Sequence, residues 1–137
     1  MTLVLDASMA IAWMFGDERT EGTAAALRHV VAEGAIVPSL WRLEVANVLR
    51  NAVRRGRCDE AYVDRSLSRL GQYPITVDAE TDDHAWGATR ILAREPGLTL
   101  YDAAYLELAK RSGLPLASCD RLLVAAAAAR GVRTLTG

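Results

Sequence analysis

The pattern of apolar and polar residues predicts a series of short buried strands. The runs at residues 3–5, 35–37, 74–77 and 114–117 are largely apolar, with no regular alternation of polar residues, and residues 132–135 form a candidate edge strand. Continuous apolar runs of this kind are typical of parallel strands that are covered on both faces of a sheet.

Helical periodicity separates these runs. The predicted helices cover residues 9–15, 17–32, 39–55, 59–71, 80–94, 100–112 and 120–130, and Ser8 and Ser39 are predicted caps of the first and third helices. Short strands that alternate with helices indicate an α/β fold with a parallel sheet and helical crossovers. A length of 137 residues without a linker or repeat fits one domain that spans residues 1–137.

The composition is ordinary for a globular protein, and the net charge favours no particular partner. Hydrophobic residues make up 51% of the chain and the net charge is −1, so contact with RNA would need a local basic patch. Cys58 and Cys119 lack the spacing of a disulfide framework or a zinc site, which favours two reduced thiols in a cytoplasmic protein. We expect neither a transmembrane helix nor a secretory signal, because no apolar run is long enough and the N-terminus lacks a basic region.

Four carboxylates follow predicted strands or begin predicted helices. Asp6 comes directly after the first strand, Glu44 lies in the first turns of the helix after the second, and Asp120 follows the fourth. Asp102 begins the helix that follows the break at Pro96 and Gly97. The carboxyl ends of parallel strands meet at one edge of an open sheet, where ligands bind. We therefore expect the four acids to converge at that edge.

Each acid also has a simpler structural explanation. Asp102 lies three residues after Thr99 and can complete a capping box, and Asp120 can cap its own helix. Glu44 can pair with an arginine, since an acid on an apolar helix face usually has a partner. Asp6 has fewer alternatives, because a carboxylate at the end of a buried strand needs a hydrogen bond, a cation or a metal ion.

The position of Glu44 on its helix is informative. A helical wheel places Glu44 inside an apolar stripe, beside Asn47 and Asn51, and places Leu49 on the other side of the helix with two arginines. The stripe consists of Leu40, Trp41, Val45, Val48 and Ala52. The polar seam within this stripe is typical of a cleft wall.

A group of neighbouring carboxylates favours a hard divalent cation. Carboxylates that lie close together repel one another and raise one another's pKa, and a cation removes that repulsion. Mg²⁺ binds oxygen ligands, keeps several waters, and commonly uses only a few carboxylates together with phosphate oxygens. Such an ion can position a water molecule, lower its pKa and stabilise charge on a transferring phosphoryl group.

Other common catalytic motifs are missing from the sequence. Asp6-Ala7-Ser8 lacks the second acid of the DxD opening of aspartyl-phosphate phosphatases, and the single lysine, Lys110, is mid-helix and not where a phosphate-receiving domain needs one. The chain has no Walker A, GxGxxG or GxSxG motif. Its two histidines, His29 and His84, lie within helical segments and are expected at the surface.

Several sequence blocks resemble the PIN-domain family, specifically the VapC-type toxins of bacterial toxin–antitoxin pairs. The blocks, in chain order, are VLDAS at 4–8 followed by AW at 12–13, PSLW at 38–41 with EVANVL at 44–49, LTLYDAAYLELA at 98–109, and PLASCDRLL at 115–123. Each block alone is weakly specific. Their order and spacing across nearly the whole chain make the resemblance specific.

The resemblance implies a three-layer α/β/α sandwich and a Mg²⁺-dependent endoribonuclease that can also use Mn²⁺. Asp6, Glu44, Asp102 and Asp120 match the family's four acids in order. Asp6 and Asp102 would bind the metal ion directly. Glu44 and Asp120 would complete the site through water or a second ion.

The resemblance also implies supporting residues. Ser8 and Ser118 occupy the positions of small hydroxyl residues beside the first and fourth acids, and Asn47 matches a polar position that can orient Glu44. Family members often carry threonine at the position of Ser118, and serine keeps the hydroxyl group.

The implied partners are an RNA substrate, a cognate antitoxin and a second copy of the chain, with no membrane. The densest basic stretch, residues 50–57, can bind RNA phosphates or can be a solvated helix end. Two other functions stay open. One is a non-catalytic PIN-like module that binds RNA or protein, and the other is a metal-dependent nuclease that acts on DNA or in RNA processing.

Overall fold

Five short parallel strands form the centre of the computed structural model, which describes residues 1–137. The strands are β1 (Leu3–Leu5), β2 (Ala35–Val37), β3 (Ile75–Val77), β4 (Leu116–Ser118) and β5 (Thr134–Thr136). Their spatial order is β3-β2-β1-β4-β5, which places β1 in the middle of the sheet. Val4 of β1 aligns with Ile36 on one side and with Leu116 on the other. All three residues of β1 are completely buried.

Eight helices connect the strands. They are α1 (Ala7–Ala12), α2 (Glu21–Glu33), α3 (Trp41–Arg54), α4 (Glu60–Leu70), α5 (Thr81–Ala85), α6 (Ala88–Leu92), α7 (Leu100–Ser112) and α8 (Arg121–Ala129). Helix α1 packs against α2 and α3, helix α7 packs against α5, α6 and α8, and both α1 and α7 contact the sheet. The predicted three-layer α/β/α sandwich with a short parallel sheet is confirmed. None of the helices combines the length and apolar composition needed to cross a membrane.

The structure corrects three predicted helix starts. The helix expected from residue 17 begins at Glu21, because Gly16–Glu18 forms a short 3₁₀ turn and Thr20 caps the helix that follows. Ser8 does not cap α1 but lies inside its first turn. Ser39 does not cap α3 either, since that helix begins at Trp41 without a side-chain cap. Both serine predictions were therefore wrong about capping.

The segment predicted as one helix over residues 80–94 is two short helices. Helix α5 ends at Ala85 and α6 begins at Ala88. Gly87 between them has φ −106° and ψ −106°, which is outside the helical region. The spacing of side chains is helical on both sides of Gly87, so the sequence pattern does not reveal the break in the backbone.

The buried face of α3 is also rotated from the predicted stripe. Leu49 is completely buried, whereas Val48 is 37% exposed. The buried residues of α3 are Trp41, Val45, Leu49 and Ala52. Glu44 consequently lies at the border of the apolar face, half-buried, and not at its centre.

Polar residues follow the strands at their carboxyl ends. The backbone N–H of Asp6 donates to the carbonyl oxygen of Ala117 at 3.0 Å, and that of Asp78 donates to Val37 at 2.7 Å. These bonds extend the strand pairing by one residue beyond β1 and β3. Because all the strands are parallel, the residues that follow them share one edge of the sheet.

A buried ion network fastens α7 to the loop after β3. The Arg111 guanidinium lies 2.6 Å from a carboxylate oxygen of Asp78 and 2.8 Å from one of Glu107. Both acids are buried, at 7% and 5% exposure. The Thr81 hydroxyl donates to Asp78 at 2.9 Å and accepts the N–H of Ser39 at 3.1 Å. The network therefore links α7, the end of β3 and the segment that leads into α3.

Candidate active site

Asp6 lies at the end of the central strand and is held by two hydroxyl groups. Its side chain is buried, and its Oδ2 accepts hydrogen bonds from Ser8 Oγ at 2.6 Å and Ser118 Oγ at 2.7 Å. The same hydroxyls accept the N–H groups of Cys119 and Asp120, each at 3.0 Å. The loop after β4 thus wraps around the held oxygen of Asp6, and Oδ1 accepts no hydrogen bond.

Glu44 is held by a tyrosine of another helix. Its Oε1 accepts a hydrogen bond from the Tyr105 hydroxyl at 2.5 Å, and its Oε2 accepts none. No arginine pairs with Glu44, so the arginine explanation for this acid was wrong. Asn47 is exposed and takes no part in this contact, so Tyr105 is the residue that orients Glu44.

Asp102 and Asp120 both accept hydrogen bonds from the backbone at the start of a helix. Asp102 completes a capping box with Thr99, in which its Oδ2 accepts the Thr99 N–H at 3.3 Å. Asp120 Oδ1 accepts the N–H groups of Leu122 at 3.0 Å and Leu123 at 3.2 Å. The simpler explanations of these acids are therefore confirmed. Neither cap uses the second carboxylate oxygen, which stays available to another partner.

The four acids share one hydrogen-bonding pattern. Each has one oxygen that accepts hydrogen bonds and one oxygen that accepts none. None of them belongs to any of the eight ion pairs of the chain. The buried acids of the Arg111 network differ, because both oxygens of Asp78 and of Glu107 accept hydrogen bonds. Carboxylates with free oxygens and no cation are a donor set for an external cation.

Electrostatic repulsion connects the four acids around Asp6. Burial raises the pKa of Asp6 above its usual value despite the hydrogen bonds from Ser8 and Ser118, and the negative charges of Asp102 and Asp120 raise it further. Burial likewise raises the pKa of Glu44, and the charges of Asp6 and Asp102 add to the rise. Asp6 therefore interacts with all three other acids, as expected for side chains that share one edge of the sheet.

Tyr105 is the residue of this site that the sequence reasoning missed. It is completely buried on α7, three residues and so about one turn after Asp102. Burial and the neighbouring Glu44 raise the pKa of its hydroxyl, which keeps the hydroxyl protonated and donating. A buried tyrosine needs a partner for its hydroxyl group, so a tyrosine one turn from a candidate acid was the available signal.

The donor set fits a Mg²⁺ or Mn²⁺ ion that the protein binds through a few oxygens. No three His, Cys, Asp or Glu side chains are close enough together to form a preassembled group of metal ligands. Mg²⁺ does not require such a group, because it keeps several waters and takes one or two carboxylates together with substrate phosphates. The unbonded oxygens of the four acids are donors of this kind, and they include those of Asp6 and Asp102.

The arginines of the basic stretch at residues 50–57 do not all have the same contacts. Arg57 pairs with Asp17 and Glu18 at 2.7 Å each and stacks over Phe15, so its charge is already used. The other arginines of this stretch, Arg50, Arg54 and Arg55, have no ion pair and are exposed toward the C-terminal end of α3. The basic surface is therefore shorter than the sequence indicates.

Comparisons with known proteins agree on one family. The model of the PIN domain matches residues 3–129. The chain is 32% identical over 123 residues to Ribonuclease VapC3 of Pyrobaculum aerophilum, covering 90% of this chain and 92% of that protein. It is 39% identical over 83 residues to Exonuclease VapC9 of the same organism, covering 60% of this chain and 59% of that protein. The crystal structure of PAE2754 from Pyrobaculum aerophilum is similar, with a TM-score of 0.70, 28% identity, and coverage of 98% of this chain and 90% of that one.

The raised pKa of Asp6 predicts that its charge destabilises the metal-free fold. The folded chain binds the Asp6 proton more tightly than the unfolded chain, so stability falls as pH rises from about 4 through the raised folded pKa. Asp6→Asn is therefore expected to raise the unfolding temperature at pH 7 in EDTA, with the difference fading below pH 4. Mg²⁺ is expected to stabilise the wild type more than the variant. Thermal denaturation over a pH series measures both effects.

Asp78→Asn is the matched control, because the shift of this acid has the opposite sign. Burial alone would raise the pKa of Asp78, but the hydrogen bonds from Arg111 and its other partners lower it. Its ionised form therefore stabilises the fold above the unfolded pKa, and this contribution is lost as pH falls through the folded pKa. Asp78→Asn is expected to lower the unfolding temperature at pH 7. Equal destabilisation by both variants would contradict the electrostatic account of Asp6.

Proposed function

Because the chain belongs to the PIN-domain family, we propose that it is a Mg²⁺-dependent endoribonuclease that acts in the cytoplasm as the toxin of a toxin–antitoxin pair. The supporting observation is the set of four carboxylates, each with one free oxygen and no cationic partner. The relative named Ribonuclease VapC3 supports the choice of RNA as substrate. The proposal treats residues 1–137 as one nuclease domain.

We assign separate roles to the four acids. The free oxygens of Asp6 and Asp102 bind the metal ion directly, and Glu44 and Asp120 complete the site through water or a second ion. Mn²⁺ is expected to replace Mg²⁺, since the donors are all carboxylate oxygens. A bound ion of this kind supplies a water of lowered pKa and stabilises charge on the phosphoryl group.

The chain's own residues prepare the site for this chemistry. Ser8 and Ser118 hold one oxygen of Asp6, so the other oxygen has a fixed direction. The capping bonds of Asp102 and Asp120 fix those carboxylates in the same way. Fixed donors need little reorganisation when the phosphate binds, which is how preorganised sites lower a reaction barrier.

Exposed arginines on α3 are the proposed contacts to the RNA backbone. Arg50 and Arg54 follow Glu44 along the same helix, Arg55 comes directly after its end, and none of the three has an ion pair within the chain. Neutralisation of phosphates by such side chains releases counterions and makes binding weaken as salt concentration rises. The net charge of −1 requires that any such attraction be local.

Cleavage of RNA is the direct test. The full chain is expected to cut RNA with Mg²⁺ or Mn²⁺ and to stop in EDTA, and Asp6→Asn or Asp102→Asn is expected to lower the rate by at least about 100-fold. Asp64→Asn, which removes an exposed acid of α4, is the matched control and is expected to cleave at the wild-type rate. Linear and circularised RNA of the same sequence, analysed on gels, measure the rate and the mode of attack.

The outcomes separate the alternatives. Cleavage of linear but not circular RNA would indicate an exonuclease, which the name of VapC9 makes worth testing. RNA binding without turnover in either metal ion would favour a PIN-like binding module. Cleavage of DNA in place of RNA, or cleavage that leaves growth unaffected when the chain is expressed, would favour a nuclease outside toxin function. Cleavage that persists in EDTA would refute the metal-dependent mechanism.

A groove between α1, α2 and α4 is the proposed site for the antitoxin. It encloses a cavity of about 330 Å³ lined mostly by apolar side chains. Three guanidinium groups border it, those of Arg19, Arg65 and Arg69, and none pairs with an acid of the chain. An amphipathic segment with apolar and acidic side chains would complement such a groove.

Filling the groove is expected to release the antitoxin without affecting cleavage. Ala24 lines the cavity, so Ala24→Trp is expected to weaken binding of the proposed antitoxin by at least about tenfold. Ala32→Trp, on the exposed part of the same helix, is the control. Isothermal titration with the purified antitoxin measures the affinity. Unchanged affinity of Ala24→Trp would place the antitoxin elsewhere.

We also propose that two copies of the chain associate. Exposed apolar side chains of the α5–α7 layer support this, namely Trp86 at 87%, Ile91 at 58% and Tyr101 at 62% exposure. Exposed apolar residues on one helical layer are typical of interaction surfaces. Sedimentation velocity at micromolar concentration is expected to give a dimer that Trp86→Asp dissociates. A wild-type monomer under these conditions would contradict the proposal.

A further inference from the structure

We propose that Tyr105 is a positioning residue that fixes the Glu44 carboxylate for the metal ion, an inference that rests on the proposed function. The Tyr105 hydroxyl donates to Glu44 Oε1 at 2.5 Å and leaves Oε2 without a hydrogen bond. No other side chain donates to either oxygen of Glu44. One hydroxyl group therefore sets the direction of the free oxygen.

The burial of Tyr105 allows its hydroxyl group to restrain the half-buried Glu44 side chain. Glu44 is half-buried on α3 and has no ion pair, so without Tyr105 its flexible side chain would be free to rotate. Tyr105 is completely buried and its ring belongs to the hydrophobic core, so its hydroxyl group cannot follow such a rotation. A donor anchored by packing on a rigid helix holds a ligand more accurately than a donor on a loop.

Helix α7 carries both Asp102 and the tyrosine that holds Glu44. Asp102 lies one turn before Tyr105 on α7, and its capping box fixes its own carboxylate. The same helix therefore presents one candidate ligand and restrains another that belongs to α3. The hydrogen bond between Tyr105 and Glu44 sets the relative position of two acids that come from different helices.

Tyr105→Phe in the full chain tests this role, because it removes the hydroxyl group and keeps the ring. Mg²⁺ affinity measured by calorimetry without RNA is expected to fall by about tenfold or more. At saturating Mg²⁺, KM for RNA is expected to stay within about twofold, because Tyr105 does not face the substrate. Ser112→Ala, which removes an exposed hydroxyl group from the same helix, is the matched control and is expected to change neither quantity.

A double-mutant cycle separates positioning from general stability. If Tyr105 acts through Glu44, Tyr105→Phe is expected to have no further effect on Mg²⁺ affinity in a Glu44→Gln background. Additive losses, or a Tyr105→Phe variant with wild-type Mg²⁺ affinity, would overturn the proposal. A chain that binds Mg²⁺ but cuts no RNA would refute the proposed nuclease alone, because the calorimetric comparison would still decide the role of Tyr105.

Discussion

The arrangement of the site depends on one buried carboxylate, that of Asp6 at the end of the central strand. A charge in this position is unfavourable unless hydrogen bonds or a cation compensate it. The chain supplies two hydroxyl groups, one from α1 and one from β4, and both bind the same oxygen. The acids around Asp6 add repulsion where attraction would stabilise the fold. The architecture therefore brings together charges that it does not neutralise.

The Arg111 network shows how the same chain treats a buried acid that it does neutralise. Asp78 also follows a strand, yet a guanidinium group, a hydroxyl group and a backbone N–H occupy both of its oxygens. Such a carboxylate has no donor capacity left for a ligand. Asp78 and Asp6 therefore both lie at the carboxyl end of a strand, and they differ in that only Asp78 has a cationic partner within the chain.

Much of the fold and of the candidate site follows from local sequence. The bounds of β1, β2 and α7 agree with the predictions, because apolar runs and capping residues define them within a few positions. The sequence did not predict that Leu49 is buried and Val48 partly exposed. A helical wheel shows which residues share a face but not which face packs against the rest of the protein. The break at Gly87 was equally hidden, because side chains on both sides keep helical spacing.

The spacing of Tyr105 from Asp102 draws attention to this tyrosine but does not identify Glu44 as its partner. Tyr105 is 61 residues away in the chain, and only the folding of the chain brings the two side chains together. The four acids were identifiable because each follows a strand or begins a helix. The residues that orient them were harder to find, since a hydroxyl group in the core is recognisable only from its three-dimensional contacts.

The two caps have a consequence for how the chain can lose its proposed activity. Asp120 is the N-cap of α8, where loss of the capping side chain costs about 0.5–2 kcal/mol, and Asp102 completes the capping box of α7. Asp6 and Glu44 carry raised pKa values and make no such contribution as charged groups. Inactivating changes therefore divide into those that also lower the abundance of folded protein and those that preserve it. If the chain acts as the proposed toxin, only the second kind of change would leave an intact inactive protein that still presents the groove proposed for the antitoxin.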